Sequence, residues 1–458
     1  MPNGALKERL LVDDGSNDAV SCMLLLHVFV AAVSGLVSGY NLCAISSILA
    51  PVEHSLQLCG PGSTACPAKQ LAVSATPIGA IVGGLLGGSM SDRYGRRAGM
   101  QITDVFCIIG AASMSAATPG MYATLFFVGR FFVGMAAAAA VAISNIYIAE
   151  LSPISRRGSL CAINELAVCI GCLLAYIAAI VFGDEGWHWT CSASGAGALI
   201  QLLLLNLLVE SPAWLLSRQR SARGDIWATD EHAARKSART LGLGEDSLLA
   251  MQELAAAARD RRVPTMDSLR LHGRSLLLGS GLATAHALTA ANTVLYYSRD
   301  ILQSVGVADP VAANLAVGCL KFLGAAAAMV IVDRFDRRLL LAHGALLMCA
   351  GHFALALSRT SAVSLAALLL IIFAWSASWA GVWNTVTTEL LPQSVRGVGT
   401  GIATAVFWVL SFLLSQTLES AFATLGEAAI FAAFGTTTAA AACFVWVCVP
   451  ETKGKQLT

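Results

Sequence analysis

The sequence predicts an all-α polytopic membrane protein with twelve transmembrane helices in two six-helix halves. Three observations carry that expectation. Hydrophobic residues make up 56% of the 458 residues and charged residues only 12%, with a mean hydropathy of +0.70, whereas soluble domains carry about 25% charge. Twelve apolar segments approach the ~20 residues needed to cross about 30 Å of hydrocarbon. Polar motifs also recur at matching places in the first and second six segments.

Taken in order, residues 1–21 are polar and acidic and read as a cytosolic tail, not a cleavable leader. The predicted spans lie near 22–45, 70–90, 99–118, 121–145, 159–182 and 188–209, then 275–298, 311–332, 338–358, 362–387, 398–422 and 428–449. The N-terminal bundle therefore occupies 22–209 and the C-terminal bundle 275–449. Between them, 210–274 is a polar linker whose "DEHAARKSARTLG" and "EDSLLAMQELAAAARDRR" predict short helices. Residues 450–458 form a second short cytosolic tail.

Orientation follows from basic residues. With the N-tail inside, 24 of the 29 Lys and Arg residues fall on that side. Lys69, Arg299 and Arg359 remain on the other, and Arg130 and Lys321 lie within spans. The asymmetry predicts cytosolic termini. Acidic residues number 28, so the net charge of +1 offers no field for nucleic acid. Most of the 13 cysteines lie in apolar runs, where a thiol is a small hydrophobe, and no metal site or cofactor is expected. Cys59 and Cys66 differ, because they flank a Gly/Pro/Ser loop that would face an oxidising space. Spacing alone leaves their pairing open.

The repeat is specific. "SDRYGRR" (91–97) follows span two and "VDRFDRR" (332–338) follows span eight; "IAELSPISRRG" (148–158) follows span four and "TTELLPQSVRG" (387–397) follows span ten. Asp92, Arg93, Arg96 and Arg97 thus gather at one turn, and Asp333, Arg337 and Arg338 at its counterpart. Glu150 and Glu389 end spans four and ten, with Arg157 and Arg396 close behind. Carboxylates beside guanidiniums at helix ends predict ion pairs between the halves, made in one conformation and broken in the other. These residues are the candidate cytosolic gate.

Together with "SGYNLCAIS", "GRFFVG", "VESPAWLL" and "VPETKG", these motifs resemble the sugar porters of the major facilitator superfamily along almost the whole chain. The resemblance implies the major facilitator fold, alternating access, and a sugar chamber between the halves. It also exposes departures. Glu165 stands where the family carries a sugar-binding Gln, and the family's Gln pair in span seven falls on His286 and Ala287, while Asn292 is kept. Lys321 replaces the usual Asn of span eight, Asn384 a Trp of span ten and Ser376 a Glu, whereas Trp408 matches a family aromatic.

Helical rise puts Lys321 about 16 to 18 Å from either end of its span, His286 about 16 Å into span seven, and Glu165 about 10 Å in from the cytosolic end of span five. An ionisable group at such depth costs about 2.5 kcal/mol or more, so it faces a cavity and has a partner. Glu165, His286, Asn292, Lys321, Asn384 and Trp408 are the candidate substrate-binding residues. Two readings of Lys321 stand: it pairs with Glu165 across the halves, or it meets an anionic group on the substrate. Coupling is a separate matter, because proton-coupled sugar porters pair a span-one Asp with a span-four Arg, and here the matching residues are Asn41 and Arg130. An Asn cannot exchange a proton, which favours facilitated diffusion and leaves Glu165 and His286 as the residual route to proton symport.

The expected function is alternating-access transport of a small polar solute, a hexose-type sugar first and an organic anion or zwitterion second, by a monomer in a plasma or organelle membrane. A non-transporting sugar sensor is the other class of reading. No nucleophile motif or phosphate loop suggests an enzyme, and no filter-like segment suggests a channel.

Overall fold

Each span opens and closes on a local backbone solution that the sequence supplies. The computed structural model describes residues 21–60, 66–153, 156–217, 227–243, 270–332, 334–392 and 395–453. Helix α1 (Cys22–Leu56) starts with the Ser21 hydroxyl accepting from the Leu24 N–H at 3.0 Å, a cap contributing about 1 kcal/mol. Helix α2 (Pro67–Tyr94) starts on a proline, at a place where its missing N–H costs nothing. The half continues with α3 (Arg96–Ser115), α4 (Thr124–Leu151), α5 (Arg157–Phe182) and α6 (Trp187–Leu204). The linker contributes helices Pro212–Ser217 and Trp227–Leu241, the second holding "DEHAARKSARTLG". The other expected linker helix, over 245–262, lies outside the described residues.

The second half comprises α7, α8 (Pro310–Ile331), α9 (Arg337–Leu357), α10 (Ser361–Leu390), α11 (Arg396–Leu425) and α12 (Glu427–Cys448). Eleven described helices are long and apolar enough to span a membrane. The remaining one, α7, is broken into Gly273–Leu288, Ala291–Tyr296 and Ser298–Ser304. At the first break Ala290 adopts φ 54°, a left-handed conformation costing a residue with a Cβ about 1 kcal/mol. The expectation of one continuous span over 275–298 is thus corrected, since an apolar pattern does not register a reversal of φ at an alanine.

The halves meet where α2 runs along α11 and α5 along α8, and α1 touches the outer pieces of α7. Two close approaches set the interior. A Cβ at Gly39 of α1 would lie 1.9 Å from the Val168 carbonyl, and one at Gly171 of α5 would lie 1.9 Å from that of Leu36. Glycine lets these backbones touch. A groove of about 670 Å³ between α2, α7 and α11 is lined by apolar residues such as Leu85, Val398 and Ile402, with Thr284. None of the candidate substrate residues lines it, so it is not the chamber.

Candidate functional site

Contacts across the halves at mid-membrane centre on Lys321. Its Nζ lies 3.3 Å from the Cys169 Sγ of α5 and 5.4 Å from the centre of the Trp375 ring of α10, and the residue is 3% exposed. A desolvated ammonium over an indole face gains about 2 kcal/mol. Lys321 and Glu165 interact electrostatically across the halves without closing to a salt bridge within 4.0 Å. Glu165 precedes Cys169 by one helical turn and is half-buried, with no hydrogen bond or ion pair to a described residue.

His286 lies in an aromatic box. The Trp375 indole N–H donates to its Nε2 at 2.9 Å, and Trp379, Trp383 and Phe407 pack around the ring. That bond requires Nε2 to be an acceptor, and the buried Nδ1 has no partner. His286 thus packs among aromatic rings of α10 and α11. Trp408 is half-buried against Phe407, and Asn292 is half-buried on the second piece of α7. Asn384 is exposed, on a stripe with Gly381, Thr385 and Thr388 at helical spacing. Its neighbour Trp383 supplies the aromatic contact to His286, because one residue along a helix turns the side chain by about 100°.

Arg130 is 2% exposed and donates to two backbone carbonyls, Asn41 at 3.1 Å and Ala72 at 3.2 Å. The Asn41 amide points elsewhere, to Val37 O and the Cys107 Sγ. Asn41 and Arg130 therefore meet through the Asn41 backbone carbonyl and not through its side chain. Asp104 of α3, 3% exposed and with one carboxylate oxygen unpartnered, was not singled out by the sequence. Cys59 and Cys66 form a disulfide, and a second joins Cys43 of α1 to Cys172 of α5.

One end of the bundle, opposite the termini, is sealed between the halves. Lys69 of α2 meets Glu53 of α1 at 3.0 Å, Asp300 of α7 at 2.8 Å and Glu419 of α11 at 3.3 Å. Arg299 of α7 grips both Asp184 oxygens at 3.0 Å and donates to the Ser47 carbonyl. Asn314 of α8 reaches the hydroxyls of Ser46 and Ser47, and Ser74 donates to Gln416. Among the described residues, the hydrogen bonds and ion pairs that cross between the halves lie from Lys321 to this end.

At the end bearing the termini the charges pair within each half. Arg96 binds Glu150 at 2.8 Å and Asp92 at 3.0 Å, and Arg337 binds Glu389. The expected inter-half ion pairs, made in one conformation and broken in the other, are not formed among the described residues in this conformation, where Arg96 and Arg337 take carboxylates of their own half. Arg93 lies over Tyr94, Arg338 over Trp446 and Arg396 donates to the Leu391 carbonyl. Arg97 donates to Asn206. The Arg157 side chain and Asp333 lie outside the described residues.

Two carboxylates complete this arrangement. Glu210 accepts from the backbone N–H groups of Arg96 and Arg97, and Glu451 from those of Arg337 and Arg338, so the repeat extends to acids capping α3 and α9. Ser211 also donates to Glu150 at 2.5 Å. Burial pushes the Glu210 carboxyl above its ordinary range against bonds from Ser211, Arg97 and Arg96. Burial also acts on Glu451, but backbone bonds from Lys453, Arg338, Arg337 and Thr452 outweigh it and hold that carboxyl below the usual range. Both acids lie in motifs that carry the family resemblance, Glu210 in VESPAWLL and Glu451 in VPETKG.

Two six-helix halves that, among the described residues, are bonded to each other from Lys321 to one end and paired within halves at the other define an alternating-access transporter of the major facilitator type. The family described as "Sugar (and other) transporter" matches residues 27–458, and the chain belongs to it. It is 31% identical to the probable plastidic glucose transporter 3 of Arabidopsis thaliana, over 94% of this chain and 86% of that one. It is 29% identical to the D-xylose transporter of Levilactobacillus brevis, over 94% and 93%. Among solved structures it resembles the inward open conformation of the xylose transporter XylE from E. coli, with a TM-score of 0.80 and 26% identity over 94% of this chain and 98% of that one.

Proposed function

We propose that the protein carries a hexose-type monosaccharide across its membrane by facilitated diffusion. The units are the bundles over 22–209 and 275–449, acting in a monomer of a plasma or organelle membrane with both termini cytosolic. In that orientation the sealed end faces outward and the conformation is inward-facing. The observation that carries the reading is that the inter-half bonds among the described residues run from Lys321 to one end, because a protein that must alternate needs a seal it can break. Sugar as cargo is supported by family membership and by the names of the relatives. Asn41 supports uniport, since its amide offers no proton.

Reconstitution into liposomes tests this. Radiolabelled hexose should equilibrate across the bilayer, and collapsing the proton gradient should leave the rate and end point unchanged. Accumulation that disappears with the gradient would overturn uniport, and binding without flux would mark a sensor.

A further inference from the structure

The break in α7 is met by side chains from other helices. In a continuous helix the Leu288 carbonyl would accept from the Asn292 N–H and the Thr289 carbonyl from the Thr293 N–H. Neither bond forms. The Thr437 hydroxyl of α12, which also reaches the Phe434 carbonyl at 3.1 Å, donates to the Leu288 carbonyl at 2.9 Å. The Nε2 of His352, on α9, lies 2.9 Å from the Thr289 carbonyl. A carbonyl only accepts, so Nε2 is the donor. His352 is 0% exposed, Phe434 stands edge-on to its ring, and its Nδ1 has no partner among the described residues. The Thr289 hydroxyl donates to the His286 carbonyl at 2.8 Å. Each of these carbonyls is thereby answered by a side chain, in a region where a stranded one is costly. The Asn292 and Thr293 N–H groups, by contrast, have no backbone acceptor.

We propose that His352 and Thr437 are positioning residues that keep α7 hinged: by taking the Thr289 and Leu288 carbonyls they stop its first and second pieces from fusing into one helix. Both donors sit on helices of the C-terminal half, and the first piece packs against α10, α11 and α12 of that half. The outer pieces also reach α1 of the other half and carry Arg299 and Asp300 to the seal. The pivot, at Ala290 with its φ of 54°, thus lies between a piece pinned to its own half and pieces bonded across the interface. Fused, α7 would carry those two charges on a rigid rod, and the seal could open only by moving the whole helix. This rests on the transport reading above, though not on which solute is carried.

Hydrogen–deuterium exchange of the full chain in detergent, read by mass spectrometry on peptides covering 291–293, tests this without any substrate. In His352→Leu the freed Thr289 carbonyl can take the Thr293 N–H, so exchange there should slow about tenfold, the weight of one hydrogen bond. Thr437→Val should slow it in the same direction and by less, because that hydroxyl is shared with Phe434. His352→Gln keeps an N–H donor and should return exchange towards that of the parent chain. In proteoliposomes His352→Leu should also exchange radiolabelled glucose about tenfold more slowly, with His352→Gln again recovering. Faster or unchanged deuterium exchange at 291–293 in both variants would overturn the proposal, since side chains that merely fill a core loosen their surroundings when truncated. Slowed deuterium exchange with undiminished glucose exchange would overturn it too, because fusion would then not hinder the cycle. Thr437→Val removes only a hydroxyl and decides the matter if His352→Leu does not fold. Glucose exchange absent from the parent chain would refute the sugar reading and leave the deuterium result to decide the hinge.

Discussion

Trp375 links the two most unusual side chains of the chamber, donating its N–H to His286 while its face takes the Lys321 ammonium. Trp375→Phe removes the bond and weakens the cation contact, so a loss of about 1–2 kcal/mol is expected, read as a lower thermal midpoint in detergent. The two caps make a second residue-scale prediction. Glu451 is held below its unfolded value, so its contribution is present above that value and is lost as pH falls through the folded one. Glu210 is raised, so its ionised form is penalised at neutral pH and the penalty is relieved as pH falls through the raised value. At neutral pH Glu451→Gln should therefore cost more, about 1 kcal/mol, than Glu210→Gln, with the difference closing toward acid. Denaturation midpoints against pH would check it. At this scale Lys321 and Glu165 were legible because charges stand out in apolar runs. Trp383 was not, since a family pattern placed the contact one residue along, at Asn384. Asp104 was as visible as Glu165 but belonged to no repeated motif.

Among elements, spans were read correctly in number and order, because hydrocarbon thickness sets their length and composition directly. Their ends were not: α1 continues to Leu56 and α10 to Leu390, past the apolar segments, since a helix can run on beyond the hydrocarbon. The break in α7 was also illegible. Ala290 is 1% exposed at φ 54°, so Ala290→Val adds both a β-branched clash and volume where there is no room. A destabilisation of about 2 kcal/mol is expected, seen in thermal unfolding. Gly171→Ala should do similar damage by forcing α5 from α1, about 1–3 kcal/mol, because its Cβ would lie 1.9 Å from the Leu36 carbonyl.

For the whole molecule, the internal repeat gave the two halves, and basic asymmetry gave an orientation. Neither could say which end was sealed, because a sequence encodes both conformations and the contacts of each share the same residues. Arg299 and Lys69 hold the present one. Arg299→Ala removes a two-pronged carboxylate contact, so the equilibrium should move about tenfold toward the conformation open at that end. Labelling of a single cysteine placed in the chamber by a membrane-impermeant thiol reagent, applied from that side, should accelerate accordingly. An unchanged rate would mean that Lys69, with the Asn314 and Ser74 bonds, holds the seal without Arg299.

The fractured seventh helix bears on leakage. Its outer fragments carry Arg299 and Asp300, two anchors of the seal, on stubs joined to the rest through Ala290 and Tyr297. Such stubs can swivel about those joints while the bulk of the bundle stays put. The cap on the cargo could then shut before the halves rock, so that no moment in the cycle leaves an open water path from one compartment to the other.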